Sequence, residues 1–248
     1  MKSENRLKHV ALIPARGGST GVKNKNLRKI SGKSLVRIAW EQIIEAGFFD
    51  LIILSTDKKE IAHEISTGID FDYLNDNSYS KFEKNGILHK RDSAQSGTYS
   101  LISNLAFNIS RDFSMENLWI IQPTSPFRSN QDFESLKKLA EDELDWTSLI
   151  SVKLADTIHP FKMFYEREHL APVVLNNLDD SQPRQLLPKV VIKDGGFYIL
   201  KGKNLENEIF LGDKIRSYRR GTDFNVNIDT PEDLKIARFL YRGFRNKF

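Results

Sequence analysis

Residues 9 to 26 read His9-Val10-Ala11-Leu12-Ile13-Pro14-Ala15-Arg16-Gly17-Gly18-Ser19-Thr20-Gly21-Val22-Lys23-Asn24-Lys25-Asn26. The opening apolar run has the length and composition of a buried strand. It empties into Gly17, Gly18 and Gly21, flanked by Arg16 and Lys25. Glycine backbones can turn their N–H groups toward an anion, and the two cations would neutralise it, so the stretch reads as a phosphate cradle at a strand end. The Gly-Lys-Ser/Thr ending of a Walker loop is missing, and so is the G-x-G-x-x-G dinucleotide fingerprint.

Outward from this strand, short apolar runs alternate with amphipathic stretches. Strands are predicted over residues 9–14, 50–55, 118–122, 146–152, 194–200 and 223–228. Helices are predicted over 34–47, from about residue 57 through Ile61 and Ile65, and over 99–109 and 132–140. Residues 75–78, Asn-Asp-Asn-Ser, read as loop. Thr230-Pro231-Glu232-Asp233 opens a last helix, with Thr230 as N-cap and acids facing the positive helix end. The alternation implies βαβ units and an α/β fold around a mostly parallel sheet, with helices on both faces. Residues 153–190 break the pattern with four prolines and no helical period. They are expected to form a small lobe or arm on a single domain spanning 1–248.

The chain has 248 residues, 40% hydrophobic and 28% charged, which fits an ordinary globular protein with a full core. No cysteine is present, which excludes disulfides, thiolate metal sites and a cysteine nucleophile. The first residues lack the apolar segment of a secretory signal, and no run approaches the ~18 apolar residues of a membrane span. A cytoplasmic protein with no membrane partner is expected. The net charge of +4 suits an anionic substrate. The basic residues are scattered, so no nucleic-acid partner is expected. The five histidines lack metal-ligand spacing, and Ser19 and Ser125 lack a His–Asp arrangement, which leaves a hydrolase triad without support.

The glycine loop resembles the signature of the CMP-sialic acid synthetases, or acylneuraminate cytidylyltransferases, I-P-A-R-G-G-S-K-G-x-x-x-K-N. Only the first lysine departs, being Thr20 here. Leu54-Ser55-Thr56-Asp57 is similar to the family's S-T-D block, and Ile121 to Arg128 to its L-Q-P-T-S-P-L-R. Ser151-Val152 with His159-Pro160 resembles its S-V…H-P pair. Gln182 to Pro188 resembles its R-Q-x-L-P element, Asp194 to Tyr198 its N-G-A-x-Y, and Val226 to Leu234 its D-I-D-T-x-x-D-L close. Seven blocks in order span nearly the whole chain.

The resemblance implies a Rossmann-like, glycosyltransferase-A-like nucleotidyltransferase sandwich that joins CMP from CTP to a sialic-type (nonulosonic) sugar acid. Its catalytic residues would be Arg16, Lys25 and Asp229. Ala15, Gly17, Gly18, Ser19, Arg91 and Ser96 would bind nucleotide, and Lys23 is a candidate replacement for the lysine missing at Thr20. Gln122, Arg184 and Tyr198 would meet the sugar. Mg²⁺ (or Mn²⁺) is expected at Asp229 and Asn227, where the family usually carries two aspartates; carboxylate and amide oxygens are the hard donors this ion prefers. Asp229 could instead serve the start of the last helix. The resemblance also implies a homodimer, with the lobe crossing toward the partner's site. Two other readings keep the fold: a different acidic acceptor such as Kdo, or a non-catalytic nucleotide-binding homologue, which the departures at Thr20 and Asn227 would suit.

Overall fold

The computed structural model describes residues 6–247 except 20, 84, 93–100, 156–158, 167, 175–182 and 222–223. Strand β1 (Leu7–Pro14) leads through the glycine loop to a small hairpin, β2 (Lys29–Ile30) and β3 (Lys33–Ser34), and then α1 (Leu35–Ala46). Next come β4 (Leu51–Thr56), α2 (Lys59–Ile65), β5 (Tyr79–Lys81), β6 (Gly86–Lys90), α3 (Ile102–Asp112), β7 (Met115–Ile120), α4 (Asn130–Glu141) and β8 (Ser148–Leu154). The lobe contributes a two-stranded ribbon, β9 (Phe164–Tyr165) and β10 (Ala171–Pro172). The chain closes with β11 (Val191–Lys201), α5 (Gly202–Glu206), β12 (Ile215–Arg219) and α6 (Pro231–Lys247).

Eight strands form one sheet in the order β12-β8-β11-β7-β1-β4-β6-β5. The pairs β1–β4, β1–β7, β4–β6 and β8–β12 are parallel, and β11 runs antiparallel between β7 and β8. β1 is central and covered on both faces, which explains its unbroken apolar run. Val10 and Leu12 face a core shared with Leu105, Ala106 and Ile109 of α3, while Ala11 and Ile13 face one shared with Trp40, Ile43 and Phe133. The alternation is the two-residue period of a strand. Trp40 and Trp146 are both buried core residues.

The helix ends follow their local chemistry. The Ser34 side chain accepts from the Arg37 backbone N–H, and Gly47 closes α1 at φ 71°. Ser129 and Asp132 form a reciprocal capping box on α4. At α6, the Thr230 hydroxyl accepts from the Asp233 N–H at 3.1 Å, while the Asp233 carboxylate accepts from the N–H groups of Asp229 and Thr230. Thr230 is therefore the cap that the sequence implied. The capping carboxylate belongs to Asp233, which leaves the Asp229 side chain for other work.

Two expectations need correction. Residues 224–228 form no strand; their described backbone contact with the sheet side is the Ile228 N–H to the Thr124 carbonyl, 2.8 Å. The edge strand is β12, which pairs parallel with β8. Its sequence, Ile-Arg-Ser-Tyr-Arg, is mostly polar because an edge strand keeps one side in water, so hydrophobic patterning passed over it. β6, an internal five-residue strand between β4 and β5, was missed for a different reason: it is short and its apolar run is broken by a buried histidine. Of the predicted 99–109 helix, residues 99–100 lie outside the described residues, and α3 runs from Ile102 to Asp112. His159 serves a turn: its ring accepts from the Phe161 N–H and meets the Pro188 carbonyl at 3.0 Å.

Candidate functional site

The carboxyl ends of β1, β4 and β7 open side by side, where ligands settle on open α/β sheets. The loop after β1 is held from beneath. Ala15 N–H donates to the Ser55 carbonyl at 2.9 Å, and Gly17 N–H donates to the Asp57 carboxylate at 2.8 Å. The buried Asn26 side chain donates to the Arg16 carbonyl at 2.8 Å, cinching the loop shut. Gly21 shows why a glycine is needed: a Cβ there would sit 2.2 Å from the Asp229 carbonyl oxygen. That contact joins the first loop to the segment before α6.

A cavity of about 490 Å³ opens above this junction. Arg16, Ser19, Lys25, Arg91, Gln122, Asn227 and Asp229 all line it, so four sequence-distant blocks converge. Its titratable lining residues are three cations and one carboxylate, an arrangement fit for a polyanion. Lys25 Nζ donates to Asp229 Oδ1 at 2.9 Å. Asn227 donates its amide to Asp229 Oδ2 at 2.7 Å, and its amide oxygen accepts from the Ser125 hydroxyl at 3.0 Å. Arg91 is buried, its N–H bonded to the Thr56 carbonyl at 2.8 Å. Burial lowers its pKa, opposed by Asp57 and reinforced by Arg16.

A second cavity of about 630 Å³ adjoins the first and shares Gln122, Asn227 and Asp229 with it. Tyr198 lines this one, and burial raises the pKa of its phenol, with Asp194 adding to the effect. Lys153 and Lys193, the polar Asp194, Asn225 and Asp233, and the apolar Ile192, Val226 and Ile236 also line it. Arg16, Ser19, Lys25 and Arg91 thus fall on one side of a shared edge and Tyr198 on the other.

Other described candidates do not line the cavities. Ala15 is fully buried, and Gly17, Gly18 and Lys23 are not lining residues. Lys23 is exposed, and its carbonyl accepts from Arg28 at 2.9 Å. Ser96 and Thr20 lie outside the described residues, as does the side chain of Arg184, which begins a short 3-10 turn, Arg184–Leu186. Sequence reasoning gave no role to Asn26, Lys153 or Lys193. Asn26 ends the quoted loop, but nothing in the chain order ties Lys153 to Lys193. They approach because β8 and β11 pair with Lys153 opposite Ile192.

The donor set suits a magnesium-type ion only in part. Asp229 offers an exposed carboxylate and Asn227 an amide oxygen; among the described residues no cluster of three or more His, Cys, Asp or Glu side chains could hold a metal. Mg²⁺ accepts that, since it commonly takes one or two carboxylates and draws the rest of its shell from phosphates and water.

Compared with known proteins, residues 10–68 match the family model described as cytidylyltransferase. The chain is 24% identical over 239 residues to a pseudaminic acid cytidylyltransferase of Campylobacter jejuni, covering 95% of this chain and 97% of that protein. It is 24% identical to an N-acylneuraminate cytidylyltransferase of Escherichia coli O18:K1:H7, covering 94% of this chain and 52% of that longer protein. In structure it is similar to a CMP:2-keto-3-deoxy-manno-octonic acid synthetase solved with CTP, at TM-score 0.63 and 16% identity, covering 95% and 99% of the two chains. HddC from Yersinia pseudotuberculosis is similar at TM-score 0.56 and 18% identity, covering 94% and 99%. The last two likenesses concern the fold.

Proposed function

We propose that this relative of the cytidylyltransferases transfers CMP from CTP to the anomeric hydroxyl of a nonulosonic sugar acid, releasing pyrophosphate. One observation carries the reading: a cationic cavity floored by the glycine loop meets a second, mixed cavity along the edge formed by Gln122, Asn227 and Asp229. The triphosphate lies in the first, against Ser19, Arg16 and Lys25. The sugar acid lies in the second, with Tyr198 and the ammonium groups of Lys153 and Lys193 available to its hydroxyls and carboxylate. Gln122 at the shared edge orients the attacking hydroxyl.

The chemistry is an in-line displacement at the α-phosphorus, in which an oxygen–phosphorus bond forms as the bond to pyrophosphate breaks and the hydroxyl's proton is released to solvent. Such transfers depend on positioning and charge neutralisation more than on covalent help. Arg16 and Lys25 neutralise charge moving onto the departing pyrophosphate. Lys25 must exchange its partner Asp229 for phosphate oxygens. That exchange frees the carboxylate for Mg²⁺ or Mn²⁺, which when bound would polarise the phosphates. Arg91, held beside the loop, faces the nucleotide.

We also place the protein in the cytoplasm, where CTP is available; among the described residues no helix is long and apolar enough to cross a membrane. Residues 153–190 act as a dimerisation arm on a single domain. The exposed Phe164, Tyr165, Leu170 and Leu186, all within this stretch, support this, because exposed large apolar side chains favour a partner surface. Light scattering at micromolar concentration should report a dimer, and a monomer would defeat that part. The activity is tested by pyrophosphate release from CTP with Mg²⁺ and a panel of sugar acids. Turnover with a nonulosonic acid is expected. Turnover with Kdo alone would move the acceptor, and CTP binding without turnover on any acid would reduce the chain to a binding protein.

A further inference from the structure

Segment 224–229 carries Asn227 and Asp229 yet has no place in the sheet, so something other than a strand ladder must fix it. A polar network in the wall of the second cavity does this, with Asp194 and Asn225 among that cavity's lining residues. The Asp194 carboxylate accepts from four donors: the Ser151 hydroxyl, the Gly196 N–H at 2.8 Å, Arg220 Nε at 2.7 Å and the Asn225 amide at 3.1 Å. The side chains of Arg220 and Asp194 are 1% and 0% exposed. Arg220 spends its remaining nitrogens on the Phe127 carbonyl and on Asn225 Oδ1, the latter at 2.5 Å. Asn225 is therefore gripped at both ends of its amide, by the cation and by the anion of one pair.

The grip is next to the site. Asn227 lies one strand-period beyond Asn225 and meets Ser125 and Asp229. Gly195, at φ 75°, brings the backbone close beneath: a Cβ there would lie 2.9 Å from Ser125 Oγ and 3.3 Å from Asn227 Oδ1. The same network reaches the other lip of the shared edge. Arg128, buried, donates to the Gly196 carbonyl at 2.8 Å and to the Gln122 carbonyl. Arg220 lines neither cavity.

We propose that Arg220, acting through Asp194 and Asn225, is a positioning residue that sets segment 224–229 so that Asp229, held by the Asn227 amide, presents its carboxylate to the metal–nucleotide complex. The inference rests on the cytidylyltransferase reading for its ligand but not for its mechanics. A planar guanidinium with five donors can hold Asp194, Phe127 and Asn225 at once, and an ammonium cannot match that geometry. The carboxylate at 194, where the resemblance has asparagine, supplies the countercharge that lets an arginine be buried there.

The test uses the full chain and Mn²⁺ with CTP as probe. Arg220→Lys and Asn225→Ala are compared with wild type for Mn²⁺ affinity by electron paramagnetic resonance with CTP present, and for CTP affinity with the metal chelated. Hydrogen exchange is followed in peptides covering 224–229. Both variants should weaken Mn²⁺ about tenfold while metal-free CTP affinity changes less than about twofold, and exchange in 224–229 should quicken about tenfold with β1 and β7 unchanged. Asn225→Ala leaves the buried pair intact, so it decides the matter should Arg220→Lys fail to fold. Wild-type Mn²⁺ affinity in Asn225→Ala, or an equal loss of metal and metal-free CTP binding, would overturn the proposal. If wild type binds no Mn²⁺–CTP, the functional reading falls instead. The exchange data then decide the positioning role alone, and unchanged exchange in 224–229 refutes it.

Discussion

Replacing Asn227 with aspartate restores the pair of carboxylates usual in the resembling family, and the structure says what that should cost without metal. The Asn227 amide donates to Asp229 Oδ2 at 2.7 Å, so Asn227→Asp removes a hydrogen bond and sets two carboxylates roughly 4 Å apart. The lost bond is worth about 1 kcal/mol. Repulsion at that distance is about 1 kcal/mol in water and about 4 kcal/mol at an effective dielectric near 20. The Asp229 side chain is 65% exposed, and Lys25 sits 2.9 Å from its other oxygen, so the lower figure applies. Asn227→Asp should therefore lose about 2 kcal/mol in EDTA, a fall in Tm of about 4–8 °C for a chain of this size. A divalent cation placed between the carboxylates reverses the sign, so Mn²⁺ with CTP should raise the variant's Tm more than wild type's. Calorimetry in EDTA and in Mn²⁺–CTP measures both arms. An unchanged Tm in EDTA, or an equal cation response in the two proteins, would refute the idea that residues 227 and 229 share one ion.

Lys25→Ala should lower kcat/KM by about 10²–10³ in the pyrophosphate assay, since it removes charge placed where the leaving group develops. Lys23→Ala, at an exposed position off the cavity lining, should stay within about twofold, and a large loss there would restore Lys23 as the stand-in for the missing lysine. Gly21→Ala should destabilise by about 1–3 kcal/mol in urea melts and depress turnover, because its Cβ would meet the Asp229 carbonyl at 2.2 Å. His89 gives a pH signature. Burial, with Arg91 adding, lowers its pKa from 6.5 to about 4, against a small opposing pull from Asp112. The folded ring stays neutral in that window while the unfolded one binds a proton, so stability is lost as pH falls from 6.5 toward 4. The span is about 3 kcal/mol at most. Chemical melts of wild type and His89→Gln across pH 4–7 check this, and equal slopes would contradict it.

The linear chain determined the sheet's middle and the glycine loop, because both depend on local rules: an apolar run for a strand covered on two faces, glycines and cations for an anion-type turn. It also determined the α6 cap, where Thr230, Pro231 and Asp233 lie within one turn. Tertiary structure alone decided three things. The edge strand β12 is stabilised by pairing with β8 rather than by its own composition, so its polar sequence gave no sign of it. Residues 224–229, which look like a strand, are held instead by Arg220 and Asp194, partners whose relation to Asn225 exists only after folding. The second cavity exists only where β8, β11 and α6 converge, since Lys153, Lys193 and Ile236 share no local pattern. Local chemistry can announce a cradle for phosphate, but groups that meet across long sequence separations become a site only when the packed chain brings them together.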